Sequence, residues 1–236
     1  MLVTIVTVCL NCEDIIEKTI KSVLKQRFDD FEYLIIDGKS SDNTLTIVNK
    51  YKNNKIRVYS ENDNGIYDAM NKASKLAKGK YIYYLNAGDT FVDDNVLLNV
   101  SKYLDDKHDI YYGDVIYGNN VEKNSANYNL NYLVLHEKMI CHQAIFSKTE
   151  LLLKYPFDLN YKICADRDWL IRLVKDNKKL YYMNDLVIAN YDINGVSSNY
   201  EKFSKESLDI AKKYKGRFSV LIIRLKRIIG KVVKHK

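Results

Sequence analysis

Between Leu2 and Leu85, four apolar runs rich in β-branched and aromatic residues alternate with three stretches of helical spacing. The runs are Leu2–Val8, Tyr33–Ile36, Ile56–Tyr59 and Tyr81–Leu85, and the helical stretches are 14–24, Ser40–Tyr51 and Ile66–Ala77. Strands joined through helices cannot pair as hairpins, so the order predicts an α/β domain with a mostly parallel sheet. Ligands of such open sheets bind beyond the carboxyl ends of the strands. The segments there are polar: 9–11, 37–42, 61–65 and 86–89.

After residue 92 the alternation loosens. A helix is expected near Asn95–Leu104, a strand near Asp109–Tyr117 and a turn or loop from Gly118 to Asn131. A helix near Asp166–Lys175, a strand pair across Leu180–Tyr191 and a helix over Tyr200–Tyr214 complete the body. The domain is expected to span 1–216, with a nucleotide-binding part to about 115 and an acceptor part after it; 217–236 form a separate tail.

The net charge of +7 is accounted for by that tail, which carries seven Lys or Arg and no acidic residue. A neutral body speaks against a nucleic-acid groove and for one local contact with an anionic surface. Apolar residues recur at 218, 221, 222, 225, 228, 229, 232 and 233, with Arg224, Lys226, Arg227 and Lys231 elsewhere on the turn. This pattern predicts an amphipathic helix, either in a membrane interface or packed on the body or another subunit. A strand-like run beginning at Leu2 leaves no space for a leader, so a cytoplasmic protein with reduced Cys9, Cys12, Cys141 and Cys164 is expected. Neither a P-loop nor a G-x-G-x-x-G cradle occurs, which sets aside ATP hydrolysis and NAD chemistry.

Three constellations can carry chemistry. In the first, Asp37 ends a strand and can accept from a base or ribose, or else Ser40 or Ser41 is only an N-cap with an acidic first turn. In the second, Asn86-Ala-Gly-Asp89 follows a buried strand, and Asp89 is read either as an anchor for Mg2+ or Mn2+ on a diphosphate or as a turn residue. In the third, Ala165-Asp166-Arg-Asp168-Trp169 opens a helix. Asp166 there is a candidate general base or an N-cap, and Asp168 points elsewhere as a fallback. Trp169 offers a face for a sugar ring or a core contact. His142, in Cys141-His-Gln143, suits an acceptor or diphosphate contact or a structural hydrogen bond. Cys9 and Cys12 form a C-x-x-C, but the segment around them has a second explanation.

That explanation is a resemblance. Thr4-Ile-Val-Thr7-Val-Cys-Leu-Asn11, then 19–26, then Ile35-Ile-Asp37-Gly-Lys-Ser40-Ser-Asp42-Asn-Thr44 resemble family 2 glycosyltransferases. Asp63-Asn-Gly65-Ile-Tyr67-Asp68-Ala-Met-Asn71 and Gly79 to Asp89 continue the likeness, especially to capsule, exopolysaccharide and O-antigen enzymes. It covers the first 90 residues densely and 139–173 more loosely, and it implies a GT-A fold. It also implies Asp37 at the uracil or ribose of the donor, Thr7, Asn11 and Ser40 among the substrate-binding residues, the Asp63–Asn71 segment at the nucleotide pocket, Asp89 on the metal and Asp166 as base. The usual Asp-X-Asp stands here as Asn86-Ala-Gly-Asp89, which makes Asn86 a neutral ligand oxygen or a supporting residue, and Ala165 replaces the Glu of a Glu-Asp pair.

The implied reaction is metal-dependent and inverting, from a UDP-sugar, and the membrane-facing tail points to a lipid-linked oligosaccharide at the inner membrane face as the acceptor. Two rivals are a sugar nucleotidyltransferase, which lacks its basic Gly-rich loop here, and a nucleotide-sugar-binding or glycan-binding module without turnover. Self-association is left open.

Overall fold

Strand β1 (Val3–Cys9) is buried at all seven positions, and so is β2 (Phe31–Asp37). A run without in–out alternation is what a parallel strand covered on both faces requires. The computed structural model describes residues 1–125, 128–192 and 200–234. After β1 come α1 (Ile16–Leu24), β2, α2 (Thr44–Lys50), β3 (Ile56–Ser60), α3 (Ile66–Leu76), β4 (Tyr81–Tyr84), β5 (Thr90–Phe91) and α4 (Val96–Ser101). Then follow β6 (Ile110–Tyr117), β7 (Asn120–Glu122), α5 (Leu130–Leu135), a 3-10 turn His142–Ala144, β8 (Ile145–Lys148), α6 (Thr149–Lys154), α7 (Ala165–Lys175), β9 (Leu180–Tyr191) and α8 (Tyr200–Lys234).

The strands join one sheet in the order β3-β2-β1-β4-β8-β6-β9-β5, with β7 on β6. β1 to β4 are mutually parallel, as expected, and β8 runs antiparallel between β4 and β6. Side chains alternate between two cores. Val6, Val8, Leu34 and Ile36 pack toward α3, α5, α6, α7 and α8, whereas Ile5, Tyr33 and Ile35 pack toward α1, α2 and α4.

Within β2, Glu32 is buried yet satisfied. It accepts from Thr4 Oγ1 at 2.8 Å, Lys78 N at 2.6 Å and Arg57 Nη1 at 2.8 Å. Burial raises its pKa, but these donors outweigh burial and leave it below the ordinary value.

Two expectations change. Leu180–Tyr191 is one strand of 12 residues rather than a pair. Its register against β6 shifts around Asp114, and Asp185 at φ 59° takes up the slack of a segment that reads as a turn. The stretch 118–131 is not all loop: β7 extends β6 as an exposed ribbon, and Asn129 caps α5 by accepting from Tyr132 N at 3.0 Å. The last element is two helices joined across non-helical Gly216 (φ 72°, ψ −178°) and reaching Lys234, in line with the expected helix over Tyr200–Tyr214 followed by a helical tail. The side chains of Lys231, Val232 and Val233 lie outside the described residues. No helix among the described residues is long and apolar enough to cross a membrane.

Candidate active site

The loops beyond β1 and β2 hold each other by reciprocal hydrogen bonds. Asn11 takes a left-handed conformation (φ 51°), its N–H donates to Ser40 Oγ at 2.8 Å, and its Oδ1 accepts from Ser41 N at 2.9 Å. Cys12 N donates to Thr44 Oγ1 at 2.7 Å, and Glu13 N to Asp42 Oδ2 at 3.0 Å. Asp37 is fully buried and spends its carboxylate on this scaffold. Ser60 Oγ donates to it at 2.6 Å, and the N–H groups of Lys39 and Ser40 donate at 3.1–3.2 Å, which keeps Lys39 in its left-handed turn (φ 71°). Thr7 is likewise fixed, between Tyr33 Oη (2.8 Å) and Leu85 O (2.6 Å).

In front of these loops lies a cavity of about 890 Å³, toward the upper end of the roughly 300–1,000 Å³ usual for small-molecule sites. Its walls come from the loop after β1, the start of α3, the loop after β4, the 3-10 turn, the start of α7, the end of β9, and Lys202 and Phe203 of α8. The fold therefore brings Asp63, Gly65, Tyr67, Asp68, Asn86, Asp89, His142 and Asp166 together around one space.

Six of the residues singled out in the sequence do not line this cavity: Thr7, Asn11, Asp37, Ser40, Asn71 and Trp169. Asn71 is a clamp, donating to Phe157 O at 2.9 Å and accepting from Phe157 N at 2.8 Å. Trp169 is 3% exposed, with its ring 5.8 Å from that of Phe157, which places it in the core rather than against a sugar. Asp168 is fully buried and neutralised by Arg172 and Lys213, both at 2.9 Å, so it does not face the cavity.

At the centre, His142 bridges two elements. Its Nε2 lies 2.9 Å from Asn86 Nδ2 and its Nδ1 3.1 Å from Asp166 Oδ2. A carboxylate only accepts, so neutral His142 carries its proton on Nδ1, and Nε2 accepts from the Asn86 amide. Asp166 Oδ1 accepts from Arg167 N at 2.8 Å and lies 3.0 Å from Tyr67 Oη, whose single proton is shared with Ile163 O at 2.7 Å. Burial first, and the Asp166 charge second, hold the Tyr67 phenol well above its ordinary pKa, so it remains a donor. Asp166 is thus gripped on one oxygen, while the other meets only His142 and keeps lone-pair capacity toward the cavity.

Asp89 is 3% exposed. Its Oδ2 accepts from Gln143 Nε2 and its Oδ1 from Asp192 N, both at 2.8 Å. Burial raises its pKa against these hydrogen bonds. Gly88 takes φ 100°, and a Cβ there would meet Asp192 Oδ2 at 2.9 Å, so glycine is required where that carboxylate closes over the turn. Asp192 is itself paired with Lys18 at 2.9 Å. Gln143 and Asp192 were not single candidates in the sequence; Gln143 adjoins His142, and Asp192 follows a strand end on the site's edge.

The fit to a divalent cation is partial in a specific way. Asn86 Oδ1 is buried without a hydrogen-bond partner, in the same turn as Asp89. Among the described residues no cluster of three or more Asp, Glu, His or Cys forms a protein cage. One carboxylate and one neutral oxygen suit an ion that arrives on phosphates and keeps most ligands from them and from water.

The model of glycosyl transferase family 2 matches residues 4–180. The chain belongs to this family. Among family relatives, a PGL/p-HBAD biosynthesis glycosyltransferase of Mycobacterium tuberculosis is 31% identical over 202 residues, covering 83% of this chain and 78% of its own. Chondroitin synthase of Pasteurella multocida is 39% identical over 108 residues, 45% of this chain but 11% of that enzyme. S. aureus TarS 1–349 in complex with UDP-GlcNAc superposes with a TM-score of 0.74 at 19% identity, covering 94% of this chain and 70% of that one. The Pyrobaculum calidifontis mannosyltransferase PcManGT, in complex with GDP-Man and Mn2+, gives 0.70 at 18%, covering 89% and 63%. These likenesses establish the fold: a GT-A-type α/β domain whose mostly parallel sheet carries a C-terminal helix. The chain is therefore a family 2 glycosyltransferase.

Proposed function

We propose that the protein transfers one sugar, with inversion, from a UDP-sugar to a lipid-linked saccharide at the cytoplasmic face of the membrane, in the building of a cell-surface polysaccharide such as a capsule or O-antigen. The observation that carries the reading is the continuous contact Asn86–His142–Asp166, which joins the turn after β4 to the start of α7 across one cavity. UDP-GlcNAc in TarS and GDP-Man in PcManGT support a nucleotide-sugar donor on this fold.

Residues 1–115 form the donor half in this reading, and 116–216 the acceptor half. Asp63, Gly65, Tyr67 and Asp68 line the nucleotide end of the cavity, while Asp37, Ser40, Asn11 and Thr7 act from behind it by fixing the two loops. Asp166 accepts the proton of the incoming hydroxyl. Tyr67 and Arg167 N hold its first oxygen, and His142 keeps the second pointed inward. An alcohol needs this help because it is a poor nucleophile until its proton is being removed. Direct displacement by that hydroxyl inverts the anomeric carbon and requires no protein nucleophile. Asp89 and Asn86 Oδ1 would hold Mg2+ or Mn2+, which when bound neutralises the leaving diphosphate.

The test is a panel of UDP-, GDP- and TDP-sugars with and without Mn2+, reading release of the nucleoside diphosphate. Release from one or more UDP-sugars, stimulated by the metal, is the expected result. Tight nucleotide-sugar binding with no release from any donor, with or without acceptor, would make the protein a binding module instead.

A further inference from the structure

Beyond Gly216, α8 shows opposite character on its two sides. The inward side is fully engaged. Ile223 is 1% exposed and Ser219 2%, and the single proton of Ser219 Oγ is shared between Gly216 O at 2.7 Å and Ala211 O at 2.9 Å. Arg227 Nε donates to Glu137 Oε2 at 2.9 Å, and a second guanidinium nitrogen bonds Ser204. Glu137 in turn bonds Ser207, which accepts from fully buried Arg167 at 2.6 Å. Arg167 also donates to Leu133 O at 2.7 Å, and it follows Asp166 directly in α7. This limb is therefore pinned to the body by a polar chain that ends beside the proposed base.

The outward side is apolar and uncovered. Phe218 is 72% exposed, Leu221 54%, Leu225 59%, Ile228 60% and Ile229 61%. At about 3.6 residues per turn these five fall within an arc of roughly 100°, opposite Ser219, Ile223 and Arg227. Exposed Arg217 and Arg224 stand on one shoulder of the stripe and exposed Lys226 on the other, where its Nζ also lies 3.4 Å from Leu135 O and from His136 Nε2, and residues 217–236 contain no acidic side chain. Because the inward side is already bonded, the body cannot fold over the stripe without breaking the Arg227–Glu137 pair.

The geometry points to a docking surface for an anionic lipid bilayer, with the five apolar side chains entering the interface and Arg217 and Arg224 meeting the headgroups. A flat stripe with cationic shoulders matches this partner in both chemistry and shape. A second copy is the poorer occupant, since self-pairing of this limb sets cations against cations with no carboxylate of its own to answer them. The surface belongs to the helix whose first turn supplies Lys202 and Phe203 to the cavity wall. Docking there would hold the site beside an acceptor anchored in the same leaflet.

Flotation of the full chain with phosphatidylcholine vesicles, and with vesicles also containing phosphatidylglycerol, tests this without any turnover. The result expected is binding to the mixed vesicles only, weakening as salt rises. The triple variant Leu221→Ser/Leu225→Ser/Ile228→Ser should reduce the bound fraction about tenfold and leave the melting temperature nearly unchanged, because all three side chains are more than half exposed. The pair Arg217→Gln/Arg224→Gln should remove the preference for the anionic lipid. Failure of the wild-type chain to bind mixed vesicles at low salt would overturn the inference. So would a concentration-dependent dimer abolished by the triple variant, which would make the stripe an interface between copies. The triple variant is expected to keep diphosphate release toward a water-soluble acceptor, so loss of docking and loss of the transferase reading are told apart.

Discussion

His142 Nδ1 lies 3.1 Å from Asp166 Oδ2, although the two residues belong to different elements and are 24 positions apart. The imidazole fixes the direction in which one carboxylate oxygen can accept, and Asn86 fixes the imidazole from its other nitrogen. Orientation of a base by a hydrogen-bonded neighbour contributes to rate without touching the reacting atoms. His142→Ala is therefore expected to lower kcat by about 10- to 100-fold while the donor KM changes little. Steady-state kinetics of the variant against wild type checks the split.

Asp89 is expected to act through the metal-bound form of the donor. Its carboxyl is buried and raised in pKa, so an arriving cation would favour the ionised form that burial opposes. Asp89→Asn should remove the strengthening of UDP binding by Mn2+ and leave metal-free UDP affinity within about twofold. Calorimetric titration with UDP, with and without Mn2+, separates the two.

Asp37 gives the opposite expectation. With its oxygens spent on Ser60 and on the 39–40 backbone, Asp37→Ala should cost roughly 2–3 kcal/mol of stability by stranding buried donors. A variant that melts like wild type but no longer binds nucleotide would show a direct nucleoside contact instead.

Glu32 makes acid stability predictable. Its pKa is lowered in the folded state, so its contribution is present above its ordinary value of 4.5 and is lost as pH falls below it. Glu32→Gln should lose roughly 2–4 kcal/mol at neutral pH, because Arg57 and Lys78 N are left with a poorer partner. The gap from wild type should narrow in denaturant titrations below about pH 4.

The first half of the fold was readable because β1, β2 and β4 are buried at every position and read as mainly apolar runs, and the helices between β1, β2, β3 and β4 force parallel pairing. The elements missed are short or depend on distant partners. α5 and α6 have six residues each, too few to show a full apolar period, and β8 exists only because it fits between β4 and β6. The site was legible as a location, since strand ends mark it, but not as a division of labour. Nothing local tells that Asn71 is held by Phe157, 86 positions away, or that Trp169 packs against the same residue. Nor does the spacing of Asp166 and Asp168 tell that the second is neutralised by Lys213 from α8.

The proposal that Asp166 removes the acceptor proton is tested most directly by comparing Asp166→Asn with wild type in two assays on one preparation, nucleotide binding and sugar transfer. The account predicts UDP affinity within about twofold of wild type and transfer reduced by roughly 100- to 10,000-fold. Transfer retained to within a few-fold, with the variant folded and binding UDP, would contradict it.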